Sequence, residues 1–201
     1  MNIYLLDDPA KPAEYARFSC VGTWTNDRLC AVCGETTARL IEPLQIEWDE
    51  GTDRIGDFSW GGYHCVVLNA VRTFLEVKAF EVRFGGVQVM QPAKRAKRPR
   101  VQFPYLGPHL SSLTPTARLK VDEEGSGVRV ISDCSACGQR RYSFKRDGIV
   151  LRKAAWNGEK IFLVDQYGRS EATFVTEEAL KMLQSAGFSN LCPRRAGMIE
   201  M

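Results

Sequence analysis

Two copies of one five-residue pattern constrain this chain more than anything else in it: Cys30-Ala31-Val32-Cys33-Gly34 and Cys134-Ser135-Ala136-Cys137-Gly138. Two residues between thiols allow a tight turn that aims both sulfurs at one point, with backbone N–H groups inside the turn facing them. The glycine after the second cysteine permits a positive φ and lets the chain leave without a Cβ clash. Two such turns supply four thiolates, and four thiolates in a tetrahedron are the closed form of structural zinc. The expectation is one Zn2+ per chain, held by Cys30, Cys33, Cys134 and Cys137. A closed set leaves no position for water, which argues against catalytic zinc.

The spacing departs from an ordinary zinc ribbon, whose cysteine pairs lie ~15–20 residues apart. Here about a hundred residues intervene. The ribbon is therefore expected to be split, its halves in residues 15–40 and 127–150. Residues 41–126 form the insertion and 151–201 a strand–helix segment, all within one domain. Two other readings stay open. A redox CxxC would open a helix beside a βαβ pattern, and neither knuckle precedes an obvious helix. A disulfide within each knuckle is the second, although seven cysteines, an odd number, suit a reducing compartment better than a disulfide framework. Cys20, Cys65 and Cys192 read as core residues. His64 beside Cys65 is too sparse for a second site, and His109 reads as a loop residue.

A chain of 201 residues with 44% hydrophobic residues can bury a core without metal. Its pattern predicts an α+β fold, mostly antiparallel sheet with a few helices. Strands are expected near Arg17–Gly22, Val128–Ile131, Arg141–Phe144 and Ile161–Val164. The segment from Thr36 to Trp48 reads as strand or short helix, since Pro43 opposes a continuous helix. Phe58 to Tyr63 reads as an aromatic turn. A helix is expected in the second half of Cys65–Lys78. Two strand pieces broken by Gly85-Gly86 are expected across Glu81–Met90. Prolines 99, 104, 108 and 115 argue against long regular elements there. Thr176 to Ala186 should be a helix, with Thr176 as N-cap, Glu177 and Glu178 in the first turn, and Gly187 at its end.

The net charge of +3 names no partner, but its distribution is uneven. Lys94, Arg95, Lys97, Arg98 and Arg100 form an acid-free basic run, and Arg140, Arg141, Lys145 and Arg146 follow the second knuckle. Such residues suit phosphate contact or a solvated loop, and no aromatic interleaving accompanies them. Glu42, Glu47, Asp49, Glu50, Asp53 and Asp57 form an acidic stretch, read as loop, with Arg54 as its one base. No apolar run reaches the ~18 residues of a membrane span. Residues 1–12 lack the basic start and apolar middle of a signal peptide, so a cytoplasmic protein is expected. No glycine-rich phosphate loop, GxSxG or HExxH is present, and an enzyme is not expected.

The chain resembles the myxobacterial double-CXXCG-motif family. The resemblance rests on Cys30–Gly34, Gly56-Asp57-Phe58-Ser59-Trp60, Lys97-Arg98-Pro99-Arg100 leading into Pro104-Tyr105, and Cys134–Gly138. The tail Thr176 to Arg194, with Gly187-Phe188-Ser189-Asn190, is also similar. Members are assigned as immunity proteins against toxins delivered between sibling cells by outer-membrane exchange. The resemblance implies a cytoplasmic protein that binds and neutralises a cognate toxin, and it carries over only to the four cysteines as metal positions. Toxins that cleave nucleic acid usually carry basic sites. The acidic stretch, Glu42 to Asp57, is therefore the candidate toxin-binding region, gaining on-rate by steering. The alternative function is a zinc-ribbon nucleic-acid-binding protein using the basic run.

Overall fold

The computed structural model describes residues 1–7, 14–22, 30–34, 41–62, 64–92, 102–137, 140–143, 148–164 and 172–200. Within them the fold is α+β and mostly sheet: two six-stranded sheets, a two-stranded ribbon and three short helices. Most strand pairs are antiparallel, as expected, and three are parallel.

The first sheet has β1 (Asn2–Asp7) near its centre. It is flanked on one side by β14 (Cys192–Glu200) and β11 (Ile149–Arg152). On the other side lie β13 (Thr173–Thr176), β12 (Ile161–Val164) and β8 (Arg118–Leu119). Its strands carry apolar residues on both faces, so both are covered. Ile3 and Leu5 join Phe162, Phe174, Leu151 and Ile199 in one cluster. Tyr4 and Leu6 point the other way, as the period of two requires, into a cluster with Ile161 and Val175. This second cluster also contains Phe58, Trp60, Val67 and Leu113 of the second sheet, and Val71, Leu75 and Leu183 from the helices. One core therefore joins the two sheets.

The second sheet runs β2 (Arg17–Cys20), β3 (Leu44–Glu50), β6 (Val82–Val89), β7 (Leu110–Pro115), β5 (His64–Leu68), β4 (Phe58–Gly61). It curls until its two end strands meet: a Cβ on Gly61 would lie 2.7 Å from the Phe18 carbonyl oxygen. Phe18, Leu44, Ile46, Trp48 and Val66 fill the space inside.

Three expectations are corrected here. The acidic stretch is not all loop, because Leu44, Ile46 and Trp48 alternate with Gln45, Glu47 and Asp49 and make β3. Phe58 to Gly61 is a strand rather than a turn, with Phe58, Ser59 and Trp60 buried, and the turn follows at Gly62, φ 62°. Glu81 to Met90 holds one continuous strand. Its first half pairs with β7 and its second with β3, so the glycines mark a change of partner. Gly85 permits the close approach of β7, since a Cβ there would lie 2.6 Å from Ser112 Oγ.

The helices are α1 (Asn69–Val77), α2 (Glu123–Ser126) and α3 (Glu177–Ser185). The first and third match their expected positions. Thr176 Oγ1 accepts from the Ala179 N–H at 3.2 Å, and Gly187 follows the helix at φ 73°. The end of α1 is capped from the other sheet. Lys160 Nζ donates to the carbonyls of Lys78 and Ala79, at 2.8 and 3.1 Å, where the helix dipole favours a cation. No helix among the described residues is long and apolar enough to cross a membrane.

Candidate metal centre

The second knuckle is the tip of the ribbon. Strands β9 (Val130–Asp133) and β10 (Arg140–Tyr142) pair antiparallel, with Arg140 opposite Asp133, and Cys134 to Cys137 lie between them. The first knuckle, residues 30–34, is a separate turn. Gly34 donates its N–H to the Cys30 carbonyl at 2.8 Å and has φ 70°. A Cβ there would meet nothing within 4 Å, so backbone conformation rather than space favours glycine at this position. Gly138 lies outside the described residues.

The four cysteines converge. Their sulfurs all lie within 4.8 Å of one another, and they are the one group of three or more candidate ligands that does so among the described residues. Two of the separations run between knuckles: Cys30 to Cys134 is 3.8 Å and Cys33 to Cys137 is 3.6 Å. A tetrahedron of thiolates ~2.3 Å from a central ion has edges of ~3.8 Å, so these sulfurs fit one ion between them. A disulfide needs ~2.05 Å, and none of the seven cysteines is disulfide-bonded.

The turn also stabilises thiolate. The N–H of Cys33, then that of Val32, point at the Cys30 sulfur and bring its thiol down to about 6, with smaller help from the thiols of Cys33 and Cys137 and against partial desolvation. A thiol in that range is largely deprotonated at neutral pH, the form a metal takes. Cys65 shows the opposite environment, where full burial pushes the thiol strongly up, as in an inert core residue. Cys20 and Cys192 are half-buried.

The six acidic residues fall into different settings. Glu42 Oε1 lies 3.4 Å from Arg83 Nη2. Glu47 and Asp49 stand on the outer face of β3, and Asp49 accepts a short hydrogen bond from the Ser19 hydroxyl. Glu50 ends that strand, and Asp53 is exposed. Arg54, the one base of the stretch, turns away to Glu14 at 3.1 Å. Asp57 serves the fold instead. Its Oδ2 accepts from the Ser189 N–H at 2.8 Å and the Ser189 hydroxyl at 2.7 Å, while its own N–H donates to Ser189 Oγ at 2.9 Å. Asn190 Nδ2 donates to the Phe58 carbonyl at 2.7 Å, and Phe188 meets Phe58 edge-on. The segments 56–60 and 187–190 thus form one clamp. Sequence reading had no signal for this pairing, because the partners are 132 residues apart.

Asp57→Ala should destabilise the protein by about 2–3 kcal/mol in urea unfolding, from two lost hydrogen bonds to a charged acceptor. A change below ~0.5 kcal/mol would contradict the clamp.

Lys94 to Arg100, Lys145 and Arg146 lie outside the described residues. Arg129, just before the ribbon, and Arg141, on it, are exposed. His64 is half-buried in β5 and His109 is exposed. No protein-family model matches this chain, and no curated protein matches it.

Proposed function

We propose that this chain is an immunity protein: it binds and neutralises a cognate protein toxin in the cytoplasm, on a scaffold clasped by one Zn2+, and is not an enzyme. The observation that carries the metal part is the convergence of four sulfurs from two knuckles distant in the chain. Four soft thiolates in a closed tetrahedron suit zinc. Two further segments behind the family resemblance, 56–60 and 187–190, meet in the Asp57–Ser189 clamp, which is consistent with their forming one structural unit. The outer face of β3, with Glu47 and Asp49 and nearby Asp53, offers an acidic surface for a basic toxin site. Asp57 is left out of that surface because its carboxylate holds the clamp.

The test is co-expression with the toxin encoded by the neighbouring gene, followed by binding kinetics. Rescue is expected, and Glu47→Lys with Asp49→Lys and Asp53→Lys should slow association on the order of tenfold at low salt, with a weaker salt dependence. Unchanged kinetics would remove the acidic surface from the account. Failure of rescue, with retardation of an oligonucleotide and steep salt dependence, would favour the nucleic-acid reading.

A further inference from the structure

The four thiols are unequal. Cys134 is buried and Cys30 half-buried, whereas Cys33 and Cys137 are exposed. The sulfurs of the exposed pair lie 3.6 Å apart, and its members come from different knuckles. The residues around them, Ala31, Val32, Gly34, Ser135 and Ala136, are exposed and uncharged, so no ionic side chain of the knuckles covers the sulfurs. An oxidant arriving from solvent meets Cys33 and Cys137 before the other two.

We infer that the centre is a redox-sensitive clasp: hydrogen peroxide joins Cys33 to Cys137 across the knuckles and the metal leaves. This rests on the metal reading above. One exposed thiolate attacks the peroxide, forming an S–O bond and breaking O–O. That sulfur is oxidised to a sulfenic acid, and the departing hydroxide takes a proton to become water. The second thiolate then attacks the same sulfur, forming S–S and breaking S–O, and a second hydroxide takes a proton. The sum is two thiolates, one peroxide and two protons giving one disulfide and two waters. The sulfurs must close from 3.6 Å to ~2.05 Å. Cys30 and Cys134 then remain as two ligands, too few for a closed site.

The pairing has a consequence that a disulfide within either knuckle would lack. Cys33 and Cys137 are 104 residues apart in sequence. Their bond ties the same two turns that the metal tied, so the clasp stays shut when the ion departs. Oxidation exchanges a metal link for a covalent one and leaves surfaces elsewhere in place.

The experiment uses the full metal-loaded chain, titrated with hydrogen peroxide. Released metal is followed with a chromogenic chelator, and disulfides are mapped by mass spectrometry of non-reduced digests. The expected first product is the Cys33–Cys137 disulfide, formed one per ion released and reversed by dithiothreitol with added Zn2+. A first product of Cys30–Cys33 or Cys134–Cys137, or metal retained in large peroxide excess, would overturn the inference. A chain that carries no metal when purified under reductant fails the metal reading itself, and metal release with it. A chain that carries metal but forms another disulfide fails this inference alone.

Discussion

Cys30→Ser or Cys134→Ser is expected to lower bound metal from about one ion per chain to near zero. Structural zinc sites of this class are held by about 10–16 kcal/mol, and a serine hydroxyl is a poor replacement for a thiolate. The damage should be local. The two apolar clusters that run through the first sheet do not include the knuckles. Hydrogen exchange should rise in residues 30–34 and 130–142, while β1, β12 and β13 keep their protection. Global unfolding of either variant at room temperature would mean that the site supports the whole fold, contrary to the account.

Gly197→Ala is expected to be among the most damaging single-methyl additions in the described residues. Gly197 sits in β14 between Ile3 of β1 and Ile149 of β11. A Cβ there would overlap the Ile149 carbonyl oxygen and lie 2.7 and 2.8 Å from the Ile149 C and N atoms. The obstacle is backbone on a paired strand, which no side-chain rotation relieves. The φ of Gly197 is not positive, so the requirement is for space. Destabilisation of about 3 kcal/mol or more is expected, with β11 losing exchange protection first. Gly158→Ala is the control. Its φ is 98° and a Cβ would meet nothing within 4 Å, so conformational strain alone should cost about 1–2 kcal/mol. Equal costs for the two variants in urea unfolding would contradict the close approach at Gly197.

The legible features were those whose cause is local. A CxxCG turn carries its own geometry, and Thr176, Glu177, Glu178 and Gly187 mark both ends of α3 within a dozen residues. Ile161 to Val164 is an uninterrupted apolar run and forms β12 as expected. What escaped depends on partners far away. Strand β14 contains Pro193, Arg194, Arg195 and Gly197, a poor strand sequence by itself. It is extended because it pairs with β1 on one side and β11 on the other. Strand β1 owes its central place in the sheet to β13 and β14, which lie at the other end of the chain. In β3, charges hid a period of two that was present in the sequence. The Gly85-Gly86 pair resembled a break because a change of strand partner has no local mark.

The four cysteines that converge were readable, but the unequal exposure of their sulfurs was not, since it depends on how the ribbon sits against the first knuckle. The acidic stretch was readable as charge. The diversion of Asp57 into a clamp with Ser189 required the fold.

We propose that Cys30, Cys33, Cys134 and Cys137 bind one shared ion. X-ray absorption at the zinc edge, with elemental analysis of protein purified under reductant and without chelator, tests it most directly. About one zinc per chain with four sulfur neighbours at ~2.3 Å is expected. Two zinc ions per chain, nitrogen or oxygen in the coordination shell, or no metal with a disulfide in each knuckle would contradict it.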